Sequence, residues 1–485
     1  MPRRILVLTF AVAMMSLFVS TEAPATHNTD DHSANMSFVK NLKYQLRNSA
    51  SSQGGSDIEF ARLGSPPRWY ALAGSYWNGL QIVDIAWPPR AQIVGVYDCG
   101  ITQGDVQVFT QADEPGRTFV TYTSDTGART GSTCYQEARA LGDWGTGQSN
   151  FGTFIAEITD PRNPRTIAFV PISKGSHNQT VHPSGNYLYN SNSDLATDIS
   201  PSIEIWNITD INNPVFVRNV PMPLRPGLGS DSHDITFNTA GTRAYSAAIS
   251  HTSILDTTNP SNPVILNTMF DPTVNVSHQA DPVTITDPVL GTRTFLIVSD
   301  EIAGAIGLHA CPGGGLHVYD VTNDVLVKVG FWVIDYVGQT QPTGTNPTSL
   351  PTCTAHVFRI HQPEKLLTIA WYSAGVRVVD ISNLVGATVG GTGQGMVEIG
   401  HYRLPDADTW SAKTPFIDSR SGDFWLFGND IGRGLDIYHF DADGQQNFSQ
   451  NPGTWESGSG AGAQQDQGLF SKIPFDLTEG NHLGG

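Results

Sequence analysis

The sequence predicts an all-β protein, a seven-bladed β-propeller closed by an N-terminal strand. Two recurring phrases and the composition indicate this fold. One phrase alternates apolar and polar residues around an Asp/Asn/Pro turn, as in "GLQIVDIAWPPRAQIVGVY" at 79–97. The other begins near a histidine, as in "SHNQTVHPSGNYLYNSNSD" at 176–194. Charged residues make up only 15% of the chain, which contains 49 Gly and 30 Pro, as is typical of turn-rich β proteins.

The alternating phrase defines the blades. Its copies lie at 79–97, 152–170, 202–220, 252–270, 315–333, 375–389 and 434–444. Each copy reads as two strands joined by a turn, and the residues before it supply two more strands. Self-similarity at roughly 40–50 residues with four strands per unit indicates propeller blades. We call the strands of a blade a to d from the channel outward, with the first blade beginning near Asp57 and the last ending near Phe440.

The seventh copy lacks a d strand of its own. The segment "MSFVKNLKYQL" at 36–46 reads as a single d strand that precedes the first blade. We expect it to complete blade seven, because closing the ring removes open sheet edges. The propeller is therefore assigned to residues 36–445, and the Gly/Gln/Ser-rich residues 446–485 to a loop or a disordered tail.

The N-terminus has the layout of a secretory signal. Two arginines precede a short apolar run that ends in small residues, so residues 1–25 are predicted to be a cleaved signal peptide and 26–35 a disordered leader. The run is short for a bilayer span, and no later segment is long enough, so no membrane span is expected. The formal net charge of -18 argues against nucleic acid as a partner. We expect a secreted protein, extracellular or periplasmic.

Four cysteines in an exported chain favour two disulfides. Any of three pairings is open from the count alone. The repeat assignment places Cys99 and Cys134 around blade two, and Cys311 and Cys353 between blades five and six. The predicted pairs are therefore Cys99 with Cys134 and Cys311 with Cys353.

The phrases "LQIVDIAWPPRAQIVGVY", "IEIWNITDINNPVFVRNV" and "VRVVDIS" resemble the LVIVD-repeat family of exported β-propellers. This resemblance covers nearly all of the mature chain and implies the fold, but the family has no single activity. A looser similarity, in histidine placement only, is to the selenium-binding-protein and methanethiol-oxidase propellers. There, histidines in the channel hold copper, and we carry this over as an analogy.

A histidine recurs at the start of strand a in blades three to six. These residues are His177, His233, His278 and His356. Because strand a lines the channel, the imidazoles are expected to meet at one channel mouth, where they would suit copper, with zinc or iron as alternatives. The matching positions in blades one, two and seven are predicted to be Ser56, Gly104 and Lys413, which leaves one side open. The alternative is that each histidine joins a structural hydrogen-bond network, as in other propellers.

The end of strand b adds polar residues to the same face. They include Asp125, Asp194, Asp300, Glu301 and Asp430, with His251 at the equivalent place in blade four. Asp300, Glu301 and His251 are the candidates for a catalytic base or for orienting the metal ligands. The alternative is that such residues only form turns.

Two functions follow from this reading. The first is an exported propeller with a histidine-ligated transition metal, acting as a copper-type oxidase on a small substrate. The second is a non-catalytic extracellular propeller that binds a protein or a glycan. The sequence leaves open whether the protein is an enzyme at all, although a metal-dependent oxidoreductase is the first hypothesis.

Overall fold

Seven antiparallel sheets surround a central channel in the computed structural model, so the predicted seven-bladed β-propeller is confirmed. The structure describes residues 30–142, 151–195, 197–226, 228–301, 312–335, 353–391 and 395–444. The first strand of each blade contacts the first strand of the next blade all the way around the ring. These strands therefore line the channel.

The same four strand positions recur in each blade, from blade one to blade seven. The channel-lining strands are β3 (Gly55–Leu63), β7 (Gln103–Phe109), β11 (Asn178–Val181), β15 (Asp234–Phe237), β19 (Ser277–Asp287), β23 (Phe358–His361) and β27 (Thr409–Lys413). The second strands are β4 (Arg68–Ser75), β8 (Phe119–Ser124), β12 (Tyr187–Ser191), β16 (Arg243–Ala248), β20 (Gly291–Asp300), β24 (Leu366–Ala370) and β28 (Phe424–Asp430).

The outer half of each blade follows the same order. The third strands are β5 (Leu80–Asp84), β9 (Gly152–Glu157), β13 (Ser202–Asn207), β17 (His251–Asp256), β21 (Gly315–Asp320), β25 (Val376–Asp380) and β29 (Gly434–Phe440). The fourth strands are β6 (Gln92–Tyr97), β10 (Arg165–Pro171), β14 (Val215–Pro221), β18 (Val264–Met269), β22 (Val327–Trp332), β26 (Val397–Arg403) and, in blade seven, β2 (Met36–Leu42).

The N-terminal strand closes the ring as predicted. Strand β2 pairs antiparallel with β29, from Met36 opposite Phe440 to Leu42 opposite Leu435. The first and last parts of the chain are thus joined by a full set of backbone hydrogen bonds, and blade seven has no exposed outer edge at β29.

The predicted disordered leader at 26–35 needs a correction in its second half. Asp31 and His32 form a short strand, β1, which pairs with Arg403 and Tyr402 at the outer edge of blade six. The imidazole of His32 also stacks on the Tyr402 ring, with the centroids 5.0 Å apart. Strand β26 offers unpaired backbone groups at its edge, and these residues bind them.

The third and fourth strands of the blades share one turn chemistry. The carboxylates of Asp84, Asp320 and Asp380 accept hydrogen bonds from the backbone N–H groups two residues further on. This is the Asx turn that Asp favours, and it lets the chain reverse directly after the strand. A β-bulge near the same place in these pairs, for example between Ile82 and Val83, adds to the twist of the blade.

The core lies between the blades, where aromatic and aliphatic side chains of neighbouring sheets pack face to face. Phe60 of blade one contacts Phe427 of blade seven with ring centroids 5.3 Å apart. Trp332 of blade five contacts Trp371 of blade six at 6.0 Å. Each such pair is worth about 0.5–1.5 kcal/mol beyond the area that it buries. Packing of this kind leaves the channel-facing ends of the strands to polar residues.

One predicted disulfide is confirmed, between Cys99 and Cys134, with an S–S distance of 2.02 Å. Cys134 lies in helix α1 (Thr133–Leu141), which the insertion of blade two forms. Cys353 is also disulfide-bonded, whereas its predicted partner Cys311 lies outside the described residues. The predicted signal peptide at 1–25 and the tail at 446–485 lie outside them as well. Within the described ranges, no helix is both long and apolar enough to cross a membrane.

Candidate metal centre

The four predicted histidines meet at one mouth of the channel, in the order of their blades. The ring centroids are 4.4 Å apart between His177 and His233, 4.0 Å between His233 and His278, and 4.3 Å between His278 and His356. We call these four residues together with Glu301 the mouth cluster.

The repeat explains this convergence. The backbone N–H groups of His177, His233 and His356 each donate to a carbonyl of the second strand in the same blade, namely Ser191, Ala247 and Ala370. Residues at the same register of homologous strands point the same way, so their side chains meet around the channel axis.

Glu301 brings a carboxylate to the imidazoles. Its Oε2 is 3.7 Å from His278 Nε2, and its Oε1 is 3.6 Å from His356 Nε2. One ligand atom from each of His233, His278 and Glu301 can be chosen so that all three lie within 4.8 Å of one another. Since metal–ligand bonds to nitrogen and oxygen are about 2.0–2.2 Å long, one ion fits between atoms at these separations after small adjustments.

Neighbouring groups orient the ligands. The Nδ1–H of His356 donates to the carbonyl of Trp410 at 2.6 Å, which leaves Nε2 as the nitrogen that faces Glu301. The hydroxyl of Tyr372 donates to Glu301 Oε1 at 2.8 Å. These contacts hold the imidazole and the carboxylate in fixed orientations.

His177 lies at the end of the row. Its Nδ1 is 3.0 Å from Asp125 Oδ1, and its Nε2 is 2.9 Å from His233 Nε2 and 3.2 Å from Gln103 Nε2. The predicted acid at the end of strand b of blade two thus reaches the cluster as a partner of a histidine. His177 thus adjoins the cluster through His233, and it is not one of the three residues whose ligand atoms converge.

Burial keeps three of the imidazoles neutral. It lowers the pKa of His356 to about 3. Burial, and secondarily the neighbouring imidazoles, lower the pKa of His233 and that of His278 well below the usual value. At His177 burial acts in the same direction, but Asp125 outweighs it and raises the pKa. Neutral imidazole is the form that binds transition metals, so the inner three residues are in the ligating state at neutral pH.

Glu301 is in a comparable position. Burial raises its pKa to about 7, although the hydrogen bond from Tyr372 acts in the opposite direction. A buried carboxylate without a cation is therefore close to half protonated at neutral pH, and a nearby positive charge would favour its ionised form.

One nitrogen of the cluster is left without a partner. Nδ1 of His278 is buried and has no hydrogen-bond partner among the described residues, whereas His233 is within reach of a hydrogen bond to the backbone of His278. A structural hydrogen-bond network would satisfy such groups, because an unpaired buried polar atom costs about 1–3 kcal/mol.

Two of the three predicted catalytic candidates do not contact the mouth cluster. Asp300 turns towards the loop before β19, where Oδ1 accepts hydrogen bonds from the backbone N–H groups of Asn275 and Val276. His251 is the first residue of the third strand of blade four, and its ring packs on Phe270 at 5.1 Å. Of the three, only Glu301 lies beside the imidazoles.

Blade seven presents Trp410 rather than Lys413 at the histidine position. Strands β19 and β27 have the same bulge, and in each the second residue of the strand, His278 or Trp410, lies within it. Trp410 therefore occupies the register of His278. Its ring lies 4.5 Å from that of His356. Lys413 lies three residues further along the strand, where its ammonium group is 2.9 Å from both Asp57 and Glu59.

The sequence prediction also missed Tyr372 and Gln103. Tyr372 lies just after the end of strand b in blade six, which is the position that supplies Glu301 in blade five. A search for every polar residue near the end of strand b, and not only for acids and histidine, would have found Tyr372. Gln103 starts a strand that carries no histidine, and no sequence signal singles it out.

A cavity extends along the channel next to the mouth cluster. It is lined by His233, His278 and Trp410 at one end, and by Asp57, Asp105, Asp234 and Lys413 among others. A molecule in this cavity would contact two imidazoles of the cluster.

The fold and the cluster together define the class: an all-β propeller with a candidate metal centre of imidazoles and one carboxylate at a channel mouth. The sequence matches no protein-family model and none of the curated proteins with which it was compared.

Proposed function

We propose that this chain is an exported β-propeller that binds one transition-metal ion at its channel mouth, copper in the first instance, and oxidises a small substrate. The observation that carries the proposal is the convergence of His233, His278 and Glu301 on one point, with His356 adjoining them. The analogy in histidine placement with the copper-holding propellers agrees with it, and the resemblance to the LVIVD repeats remains a prediction from the sequence.

The donor set favours a borderline transition metal. Imidazole nitrogen suits copper, zinc and iron, and among divalent first-row ions an N/O site binds Cu²⁺ most tightly. The unpaired buried nitrogen of His278 argues for a ligand and against a purely structural network. A bound copper ion would supply the redox step, which none of these side chains supplies alone.

The chain's own residues position the ligands and the substrate. Trp410 fixes the ring of His356 through its carbonyl, Tyr372 holds Glu301, and Asp125 holds His177. Such supporting contacts commonly change metal affinity or activity by about 10–100-fold. The cavity beside His278 has room for about one water-sized molecule, and its carboxylates favour a neutral or cationic molecule over an anion.

Export is part of the proposal. The disulfide between Cys99 and Cys134 fits an oxidising compartment. The three-part N-terminal signal of the sequence supports the same destination, extracellular or periplasmic.

Metal analysis of the secreted protein, purified without a histidine tag, tests the proposal. We expect about one equivalent of copper per chain after reconstitution, as a single ligand cluster implies. His278→Ala should lose most of it. His182→Ala is the matched control, because His182 is also buried in the ring but bonds the carbonyl of Gly241 instead of the cluster.

Two outcomes would contradict the proposal. One is wild-type protein that takes up neither copper, zinc nor iron, which would favour the non-catalytic binding propeller. The other is equal metal loss in His278→Ala and His182→Ala, which would show that the metal is held elsewhere or lost through misfolding.

A further inference from the structure

A second group of acidic side chains lies on the same face as the mouth cluster. Asp194, Asp198 and Asp231 each have a carboxylate oxygen within 4.8 Å of the others. Asp194 and Asp198 follow β12, whereas Asp231 lies in the loop before β15. The sequence analysis noted Asp194 only as one of the strand-b acids, so this grouping comes from the fold.

Asp231 is the central member, and one of its oxygens is unsatisfied. The residue has no exposed surface. Its Oδ1 accepts a hydrogen bond from the backbone N–H of Ser202 at 2.8 Å and one from Asn192 Nδ2 at 3.5 Å. Its Oδ2 is buried, and no donor group of the described residues reaches it. Its side chain lies within hydrogen-bond distance of the Asp198 carboxylate, and two carboxylates this close repel each other unless a proton or a cation lies between them. A fully buried carboxylate needs a compensating partner for both oxygens, and this one lies among other carboxylates.

The nearby lysine does not provide that partner. The ammonium group of Lys174 contacts Asp198, donates to the carbonyl of Ser200 at 3.2 Å and lies 3.8 Å from Asp194. One ammonium group therefore faces three carboxylates, and it makes no hydrogen bond to Asp231 among those described. Asp194 Oδ1 is likewise buried with no donor group among the described residues, and the Asp194 side chain lies within hydrogen-bond distance of Asp231.

We propose that Asp194, Asp198 and Asp231 form a binding site for a calcium-type divalent cation. Clustered carboxylate oxygens are the ligands that hard cations prefer, in contrast to the imidazoles of the mouth cluster. The site does not depend on the function proposed above.

The site would join two loops that carry metal ligands of the mouth cluster. Asp231 precedes His233 by two residues, and Lys174 precedes His177 by three. The backbone N–H of Ser193, next to Asp194, donates to the carbonyl of Lys174 at 3.2 Å. A cation held here would therefore fix both loops, and with them the relative positions of His177 and His233.

Calorimetric titration of the full-length, chelator-treated protein with CaCl₂ tests the site, with MgCl₂ as a second probe. We expect calcium to bind and to raise the unfolding temperature. Asp231→Asn should weaken calcium binding by about 100-fold, since the number of ligand charges sets calcium affinity. Asp441→Asn is the matched control, because Asp441 is also a buried turn aspartate but lies in blade seven.

Separate outcomes distinguish this site from the metal centre. Calcium binding that persists in His278→Ala supports two independent sites. If Asp231→Asn fails to fold, Asp194→Asn, at a more exposed ligand, makes the same test. Wild-type protein that binds no calcium would overturn the proposal, and an Asp231→Asn variant of equal or greater stability would then indicate that Asp231 and Asp198 share a proton instead.

Discussion

The channel has buried polar groups at two levels, and the two groups differ in how far their charges and hydrogen bonds are paired. At the mouth, neutral imidazoles adjoin one another and Glu301, and Nδ1 of His278 lacks a partner. Further along the same inner strands lies a group of charged residues that we call the ion cluster: Asp57, Glu59, Arg359 and Lys413. Lys413 Nζ is 2.9 Å from Asp57 and from Glu59, and Arg359 Nη2 is 2.6 Å from Glu59 Oε2.

The difference sets a group of paired charges apart from the group to which the proposed function assigns a metal. The ion cluster pairs acids and bases and links blades one, six and seven, which flank the point where the ring closes. Paired buried charges of this kind hold a particular arrangement in place. In the mouth cluster the described residues place no lysine or arginine beside the Glu301 carboxylate, and Nδ1 of His278 is unpaired. The following predictions test this contrast.

Breaking the ion cluster should have the largest effect on stability. Lys413→Met removes the ammonium group from beside two buried carboxylates, so we expect the free energy of unfolding to fall by about 3–5 kcal/mol. Denaturant unfolding of the metal-free protein at neutral pH measures this. Lys328→Met is the control, because Lys328 pairs with Asp271 at 2.7 Å but is about one third exposed.

For the control we expect a loss of about 1 kcal/mol or less, as for other exposed pairs. Copper binding should remain unchanged in Lys413→Met. Equal losses of unfolding free energy in Lys413→Met and Lys328→Met would show that the ion cluster stabilises the protein no more than an exposed pair does. Loss of copper binding in Lys413→Met would show that the two levels of the channel are coupled.

Lowering the pH should reduce the unfolding free energy of the metal-free protein through the buried histidine His356 of the mouth cluster. Burial lowers the pKa of His356 to about 3, whereas in the unfolded chain it lies near the ordinary value of 6.5. Between these values the unfolded state binds a proton that the folded state does not. The contribution of neutral His356 is therefore fully present above pH 6.5 and is lost as the pH falls, at about 1.4 kcal/mol per pH unit.

The measurement compares unfolding free energies from pH 6.5 to pH 4 in the presence of chelator. Relative to His356→Asn, the wild type should lose about 3 kcal/mol more over this range. Parallel curves for the two proteins would show that the folded protein protonates His356 as readily as the unfolded chain does.

The fold could be predicted from the sequence because a repeat carries the same information several times. Each copy of the alternating phrase specifies two strands, and the missing d strand of the last copy requires the segment that begins at Met36. By contrast, β1 is only two residues long, so it has no periodicity for a sequence pattern to reveal. Its pairing depends on the free edge of blade six, which exists only in the folded ring.

The candidate site could be predicted only down to the register of its strands. The four histidines share one register, and they do meet. Asp300 and Glu301 are adjacent in sequence, but side chains alternate along a strand, so one binds a backbone loop while the other faces the imidazoles. Blade seven has no histidine to mark its register, so the repeat alignment places Lys413 there, three residues beyond Trp410, which occupies that register in the structure.

The smallest expected effect concerns the support of Glu301. Tyr372→Phe removes the hydroxyl that donates to Glu301 Oε1 and leaves the ring in place. We expect a loss of about 1 kcal/mol in the free energy of unfolding. We also expect copper affinity to fall by about 10-fold, because a supporting contact orients the ligand.

Tyr402→Phe provides the matched comparison. Its hydroxyl also donates to a carboxylate at 2.8 Å, that of Asp30, but at the outer edge of blade six. The chemical change is identical in the two variants, so a difference in copper affinity measured by competition titration reports position alone. If both variants retain wild-type affinity, Tyr372 is a packing residue and Glu301 needs no support from it. If both lose affinity equally, the metal lies outside the mouth cluster, and the contrast between the two levels of the channel fails.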